Sequence, residues 1–442
     1  MGVTAAGIQQ GAAIRSEEFD AVIVGASLAG STAAVKLGRA GARVALVEQR
    51  PDPGAYKQIC SHFVQASAIP TLERLGLLQP ALDAGAVRSG LRIWTRYGWI
   101  VAPRERATPG LNLRRERLDP LLREAALNTP GVEARLGLTA TALARDGERV
   151  SGVVVRDRAG SETLLRARLV VGADGRGSRI ARLAGVATKT TPHGRFAYGG
   201  YFEGATLPHS PDAQLWLLDP QWAAGFPTDG GLTFYAAMPT KSWLPRFKRD
   251  PQAALTAFLR DLPEPPPIEQ GRLVGEIKGK LEMPNVEHEP IAPGLALVGD
   301  AALATDPLWG IGCGWALQQA EWLGDAVGDA LAAGPGEADA LDAGLARYRR
   351  RWRRGLLSHQ RVIADLANGR RANAGERFVY SAAVRDGRLA ARMDAFGSRQ
   401  ISPERFLAGA VPRAAWVHLR EARARRAARG PAAGAGREAV AA

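Results

Sequence analysis

The sequence predicts an α/β fold: a strand-helix-strand opening, a late strand that again ends in Gly-Asp, and long insertions between them. The opening unit is the clearest element. DAVIVGA (Asp20 to Ala26) is a short β-branched run ending in glycine, as a buried strand does. LAGSTAAVKLGRAG follows with helical spacing and stops at Gly41. RVALVEQ (Arg43 to Gln49) is the second strand, which completes a βαβ unit. LRIWTRYGWIVAP (Leu91 to Pro103) alternates around a Tyr-Gly turn and reads as a hairpin. RRERLDPLLREAAL is a helix, and two alternating segments around DGE and RAGSE form a meander. Residues from about Arg195 to Pro239 are rich in aromatics and strands, and Asp250 to Leu262 has helical patterning. LALVGDA (Leu295 to Ala301) is the late strand; it runs into a Gly-rich loop and a helix from Cys313 to Leu331. The rest is mostly helical, so the hairpin and the aromatic strands should form a separate layer.

The chain has 442 residues, enough for two or three packed modules. No apolar run reaches the roughly 18 residues needed to cross a bilayer. The first residues lack a signal-peptide core, so they read as a loose leader on a cytoplasmic protein. Two cysteines far apart make neither a disulfide framework nor a zinc site, and six scattered histidines give no metal-ligand spacing. Electron transfer would therefore need an organic cofactor. The net charge of +14 gathers late, in RYRRRWRR and REARARRAAR. These runs lack the regular aromatics of a nucleic-acid stacking platform. They read as a solvated helix face and a basic Ala/Gly-rich tail, with at most weak contact to an anionic surface.

Three motifs carry chemistry. In VGASLAG (Val24 to Gly30), Gly25 permits the tight turn and Gly30 lets helix and strand pack closely. Ser27 replaces the middle glycine of the usual fingerprint. The helix start offers free N–H groups to a pyrophosphate. Glu48, eighteen residues beyond Gly30, can accept both ribose hydroxyls and would repel a 2′-phosphate. The second motif is GADGRGSRIAR (Gly172 to Arg182), again after an apolar strand. The third is GDAALATDPLWGIGCGWAL (Gly299 to Leu317).

In this order the three motifs resemble those of the para-hydroxybenzoate hydroxylase-type flavoproteins: GxGxxG, DGxxSxxR, then GD with PxxGxG. DGxxSxxR is matched by Asp174, Gly175, Ser178 and Arg182; PxxGxG is matched by Pro307, Gly310 and Gly312. RxxLD (Arg115 to Asp119) is a further match. The resemblance implies a glutathione-reductase-like Rossmann FAD domain with an inserted antiparallel or mixed substrate β-sheet and a helical C-terminal region. It divides the chain into a leader (1–17), a discontinuous FAD domain (18–88, 106–190 and 286–332), a substrate sheet (89–105 and 191–285), a helical region (333–419) and the tail (420–442). The implied cofactor contacts are Gly25, Ser27, Gly30, Glu48, Arg50, Lys57, Arg115, Asp174, Gly299, Asp300, Pro307, Gly310 and Gly312.

Family members use NAD(P)H as a transient donor without a domain of its own, and O2 as oxidant. The resemblance therefore implies monooxygenation of a small apolar or aromatic organic molecule, probing which the sequence offers His62, either facing substrate or a loop histidine satisfied by backbone. Trp309, inside the flavin loop, is the other catalytic candidate. Tyr198, Tyr201, Trp216, Trp222, Phe226, Phe234 and Tyr235 could line an apolar pocket. Cys60 reads as a buried small hydrophobe rather than a nucleophile. Leu303 and Gly314 stand where the family often has His and Asn, and this brings the loop nearer to the geranylgeranyl-reductase and flavin-halogenase branches. Reduction of C=C bonds is thus the main alternative, with halogenation or a flavin-scaffolded cyclisation behind it.

Overall fold

The computed structural model describes residues 15–428 apart from Pro335 and Glu337; the remainder of the expected leader and tail lies outside the described residues. Strand β1 (Arg15–Val24), helix α1 (Leu28–Arg39) and strand β2 (Val44–Glu48) form the opening unit. The hairpin β3 (Leu91–Thr95) and β4 (Gly98–Val101) follows, then α2 (Arg115–Leu127) and strands β5 (Val132–Leu136), β6 (Thr139–Asp146), β7 (Arg149–Arg156) and β8 (Glu162–Gly172). Next come β9 (Ala197–Glu203), β10 (Ala213–Leu217), β11 (Trp222–Pro227), β12 (Leu232–Met238), β13 (Arg272–Lys280) and β14 (Leu295–Leu297). Helices α3 (Gly312–Ala332), α4 (Ala338–Ala367), α5 (Ala374–Ala383), α6 (Gly387–Gly397) and α7 (Pro403–Ala428) close the chain.

The first sheet has the parallel order β14-β8-β1-β2-β5. Its central strands are buried on both faces, which explains their unbroken Val/Ile/Leu/Ala runs. The meander β6–β7 pairs antiparallel onto β8. β1 begins at Arg15, inside the stretch expected to be a leader, because its N-terminal half pairs with the start of β8.

The second sheet has the order β13-β9-β12-β11-β10-β3-β4 and is antiparallel except at β10–β3. One face packs on the helices Leu244–Arg249 and Pro251–Arg260 through Phe247, Leu255 and Phe258. The other face, with Ala213, Phe226 and Met238, packs on Phe63 and Leu308 from the first module. The Arg-rich run lies on α4, whose Tyr348 and Trp352 join the main core while Arg349 and Arg353 pair with Glu289. α7 continues through Ala428, past the expected start of the tail, because Ala414 and Val417 pack against α5, α6 and the hairpin.

Candidate functional site

The carboxyl ends of β1, β2, β8 and β14 meet at one edge of the parallel sheet, where such folds form a crevice. Backbone bonds knit the ends together: Gly25 N–H donates to Val47 (2.7 Å), Ala173 N–H to Val24 (2.8 Å) and Val298 N–H to Gly172 (2.9 Å). Gly25 has φ +106°, and a Cβ there would lie 2.4 Å from the Ala173 carbonyl oxygen. At Gly30 a Cβ would lie 1.7 Å from the Gly25 carbonyl oxygen. No side chain caps the N-terminus of α1, so its first N–H groups remain available. Glu48 is buried beside this turn; it accepts from Ala26 N–H and Arg50 N–H, each at 3.0 Å. Arg123, unremarked in the sequence, is also buried and donates to the carbonyls of Ala26 (3.0 Å) and Ala55 (2.7 Å), tying α2 to both loops.

A charged cluster lies next to it. Arg115 pairs with Asp119 (2.7 Å) and donates to the Ser27 hydroxyl (2.8 Å), so Ser27 serves α2 rather than capping α1. Lys57 pairs with Asp300 at 2.9 Å, and its backbone N–H donates to Asp119 at 2.9 Å. Burial pushes the Asp300 carboxyl up, but Lys57 and then Arg176 outweigh it and hold the group below its ordinary value. Asp174, just past the end of β8, also holds the following helix. Its oxygens accept from Ser178 Oγ (2.5 Å), Arg179 N–H (2.7 Å) and Ile180 N–H (3.1 Å), so it fixes the start of the helix Arg179–Ala184.

The loop from Asp306 to Gly312 closes the crevice. Asp306 caps the turn Pro307–Trp309 by accepting from Leu308 N–H at 3.0 Å. A Cβ at Gly312 would enter open space, and no side chain caps the N-terminus of α3. Trp309 packs edge-on against Phe396, with centroids 5.0 Å apart, so its ring is held by α6. Asp306 is 1% exposed, and burial pushes its carboxyl up from 3.8 to about 6. The folded state therefore disfavours the carboxylate, and stability falls as pH rises from the unfolded value through the folded one. Asp306→Asn keeps the cap acceptor and removes this cost. The variant is expected to be more stable than the parent by about 3 kcal/mol at pH 8 and about 1 kcal/mol at pH 4.5. Denaturant unfolding at both pH values checks this.

His62 joins the two modules. Its Nδ1 accepts from Arg115 N–H at 3.0 Å, and its Nε2 contacts the Tyr201 hydroxyl. Burial lowers its pKa to about 4, so the ring is neutral at pH 7. With Nδ1 accepting, the proton sits on Nε2 and donates to the Tyr201 oxygen. The Tyr201 O–H is then left to donate elsewhere. Tyr201, Phe234 and Phe226 stand directly opposite one another across β9, β12 and β11 and form a single row. Phe63 contacts the end of that row, 5.6 Å from Phe226. Trp216 and Tyr235 point the other way, where Trp216 donates to Pro263 and Tyr235 to Ala205; with Tyr198 they belong to the opposite core rather than a pocket. Asn112, paired with Phe63 on a short strand, keeps both side-chain amide atoms buried and unpartnered. Cys60 and Cys313, which the sequence separates widely, come together here at 3.5 Å.

The residues present fit a flavin dinucleotide: two uncapped helix N-termini, the buried Glu48 carboxylate beside one, an opening free of side chains beside the other, and the cationic Lys57 and Arg115 nearby. Residues 18–221 match the family model described as FAD binding domain. The protein is an FAD-dependent oxidoreductase. A digeranylgeranylglycerophospholipid reductase from Methanosarcina mazei is 26% identical to this oxidoreductase, over 76% of the chain and 81% of the relative. A kynurenine 3-monooxygenase from Salinispora arenicola is 28% identical, over 84% of each. Among solved structures, a flavoprotein/dehydrogenase from Cytophaga hutchinsonii superposes with TM-score 0.76 at 16% identity, covering 92% of this chain and 100% of that one. Among the described residues no cluster suits a metal ion, and no helix is long and apolar enough to cross a membrane.

Proposed function

We propose that this oxidoreductase is a monooxygenase that takes electrons from NAD(P)H and one oxygen atom from O2 to oxygenate a small apolar or aromatic molecule. The observation that carries this reading is the Tyr201–Phe234–Phe226 row facing the module that bears the Asp306–Gly312 loop, with one polar group, the Tyr201 hydroxyl, set in it. Bound FAD would supply the two-electron chemistry. In this reading Gly25, Ser27, Gly30, Glu48 and Arg50 hold the ADP half. Lys57, Arg115, Gly299 and Asp300 hold the phosphate and sugar-alcohol chain, and Pro307, Gly310 and Gly312 border the ring. Asp174 supports the turn from behind. The aromatic row orients the substrate and excludes water. Tyr201, backed by neutral His62, holds the proton that the substrate gives or takes; Trp309 is a wall residue.

The segments 18–88, 106–190 and 286–332 then form the cofactor module, and 89–105 with 191–285 form the substrate layer. The reading also places the protein in the cytoplasm, where its paired free thiols stay reduced. A weak contact of α7 with an anionic surface would join its exposed Leu407, Val411 and Leu419 to the neighbouring arginines; flotation with anionic vesicles detects it. The function is tested by oxygen uptake: with a suitable aromatic substrate, NAD(P)H and O2 should disappear in equal amounts.

A second reading, reduction of a C=C bond, is supported by the similarity to the digeranylgeranylglycerophospholipid reductase. The same Tyr201 proton would then reach carbon. Anaerobic turnover separates the two: a reductase continues and a monooxygenase stops.

A further inference from the structure

Cys60 and Cys313 are the two cysteines of the chain, and the proposed reaction uses neither. They lie 253 positions apart in sequence, yet their Sγ atoms stand 3.5 Å apart. Cys60 accepts the His62 backbone N–H at 3.3 Å and an Arg115 guanidinium N–H at 3.6 Å. Cys313 lies in the first turn of α3, with the same Arg115 nitrogen at 3.9 Å. A disulfide needs its sulfurs about 2.05 Å apart, so the two sulfurs stand about 1.5 Å beyond bonding distance.

The environment divides the two thiols into roles. The Cys313 hydrogen bond, then the Arg115 and Lys57 charges, hold Cys60 well below the ordinary thiol value against the opposing effect of burial. The Cys60 sulfur and burial push Cys313 up. A thiolate beside a protonated thiol is the arrangement that attack followed by resolution requires.

We propose that Cys60 and Cys313 form a peroxide-reactive dithiol that closes to an intrachain disulfide, Cys60 attacking and Cys313 resolving. The Cys60 thiolate attacks one oxygen of hydrogen peroxide; the O–O bond breaks, leaving a sulfenic acid and hydroxide. The Cys313 sulfur then bonds to Cys60, and its proton leaves with the sulfenic oxygen as water. The proton lost earlier by Cys60 converts the hydroxide to a second water. Two thiols are oxidised by two electrons and one peroxide is reduced to two waters. The inference stands whether the flavin oxygenates or reduces its substrate.

The test uses the full-length, flavin-loaded protein, reduced, desalted without air, and given equimolar hydrogen peroxide. Alkylation under denaturing conditions and intact mass follow. Two alkyl groups are expected before peroxide and none after, with one cross-linked peptide containing Cys60 and Cys313. Cys313→Ser should accumulate a sulfenic acid at Cys60 that dimedone traps. Cys60→Ser should consume peroxide at least tenfold more slowly than the parent. Two alkylatable thiols after peroxide, overoxidation of Cys60 with Cys313 still alkylatable, or undiminished consumption by Cys60→Ser would each overturn the proposal. The mass measurement on the unmodified protein decides the matter even if a variant does not fold.

Discussion

A Gly30→Val protein is expected to purify without flavin. A Cβ at this position falls 1.7 Å from the Gly25 carbonyl oxygen, and the atom it meets is backbone. The turn or α1 must move, and both are fixed: Gly25 by its bond to Val47, and α1 by ten buried residues. The opening for the ADP half closes in either case. The expected loss is at least tenfold in flavin bound per chain, with several kcal/mol of stability lost to the strained turn. Visible absorbance of the purified protein and thermal unfolding read the two effects. A Gly312→Ala protein is the informative partner, because its Cβ enters open space and should leave the fold intact. It should weaken flavin retention without lowering the stability of the flavin-free protein.

Tyr201→Phe is expected to lower kcat by about a hundredfold while flavin content stays unchanged, the scale usual for a positioned proton donor or acceptor. The phenyl ring keeps the tilted ring contact with Phe234 but leaves the His62 Nε2–H without its acceptor. Leaving that donor buried and unpaired costs about 1–3 kcal/mol of stability. Steady-state kinetics separates the roles: a wall residue would raise KM, whereas a proton-handling hydroxyl changes kcat. Because burial holds His62 near pH 4, the acid limb of this relay lies there and not near 6.5. The parent enzyme should therefore show no His62-dependent fall in rate between pH 8 and pH 5.

The parts of the site that were legible in the sequence are those whose chemistry is local. Gly25 and Gly30 announce a turn, Glu48 marks the end of its strand, and Asp300 follows its own strand directly. Contacts across the chain were not legible. The Cys60–Cys313 approach depends on how the segment after β2 lies against α3. Arg123 looks like an ordinary helix arginine, but its partners are backbone carbonyls of two distant loops. Period-two alternation located an aromatic sheet without saying which face meets the flavin module; packing of the helix Pro251–Arg260 on one side decides it and sends Trp216 and Tyr235 into the opposite core. Asp174 was evident from its motif, whereas its bonds to Ser178, Arg179 and Ile180 at the start of the next helix appear only in the fold. Trp309 was chosen for its place in the loop, and only the fold reveals that Phe396 holds its ring.

Monooxygenation is decided by where the oxygen atoms of O2 end up. Flavin-loaded protein should be turned over with NAD(P)H and a small aromatic substrate under ¹⁸O2, and the product weighed by mass spectrometry. One ¹⁸O atom is expected in the organic product and the other in water. A product that gains two hydrogens and no label, formed equally well without air, would contradict monooxygenation and establish the reductase reading instead.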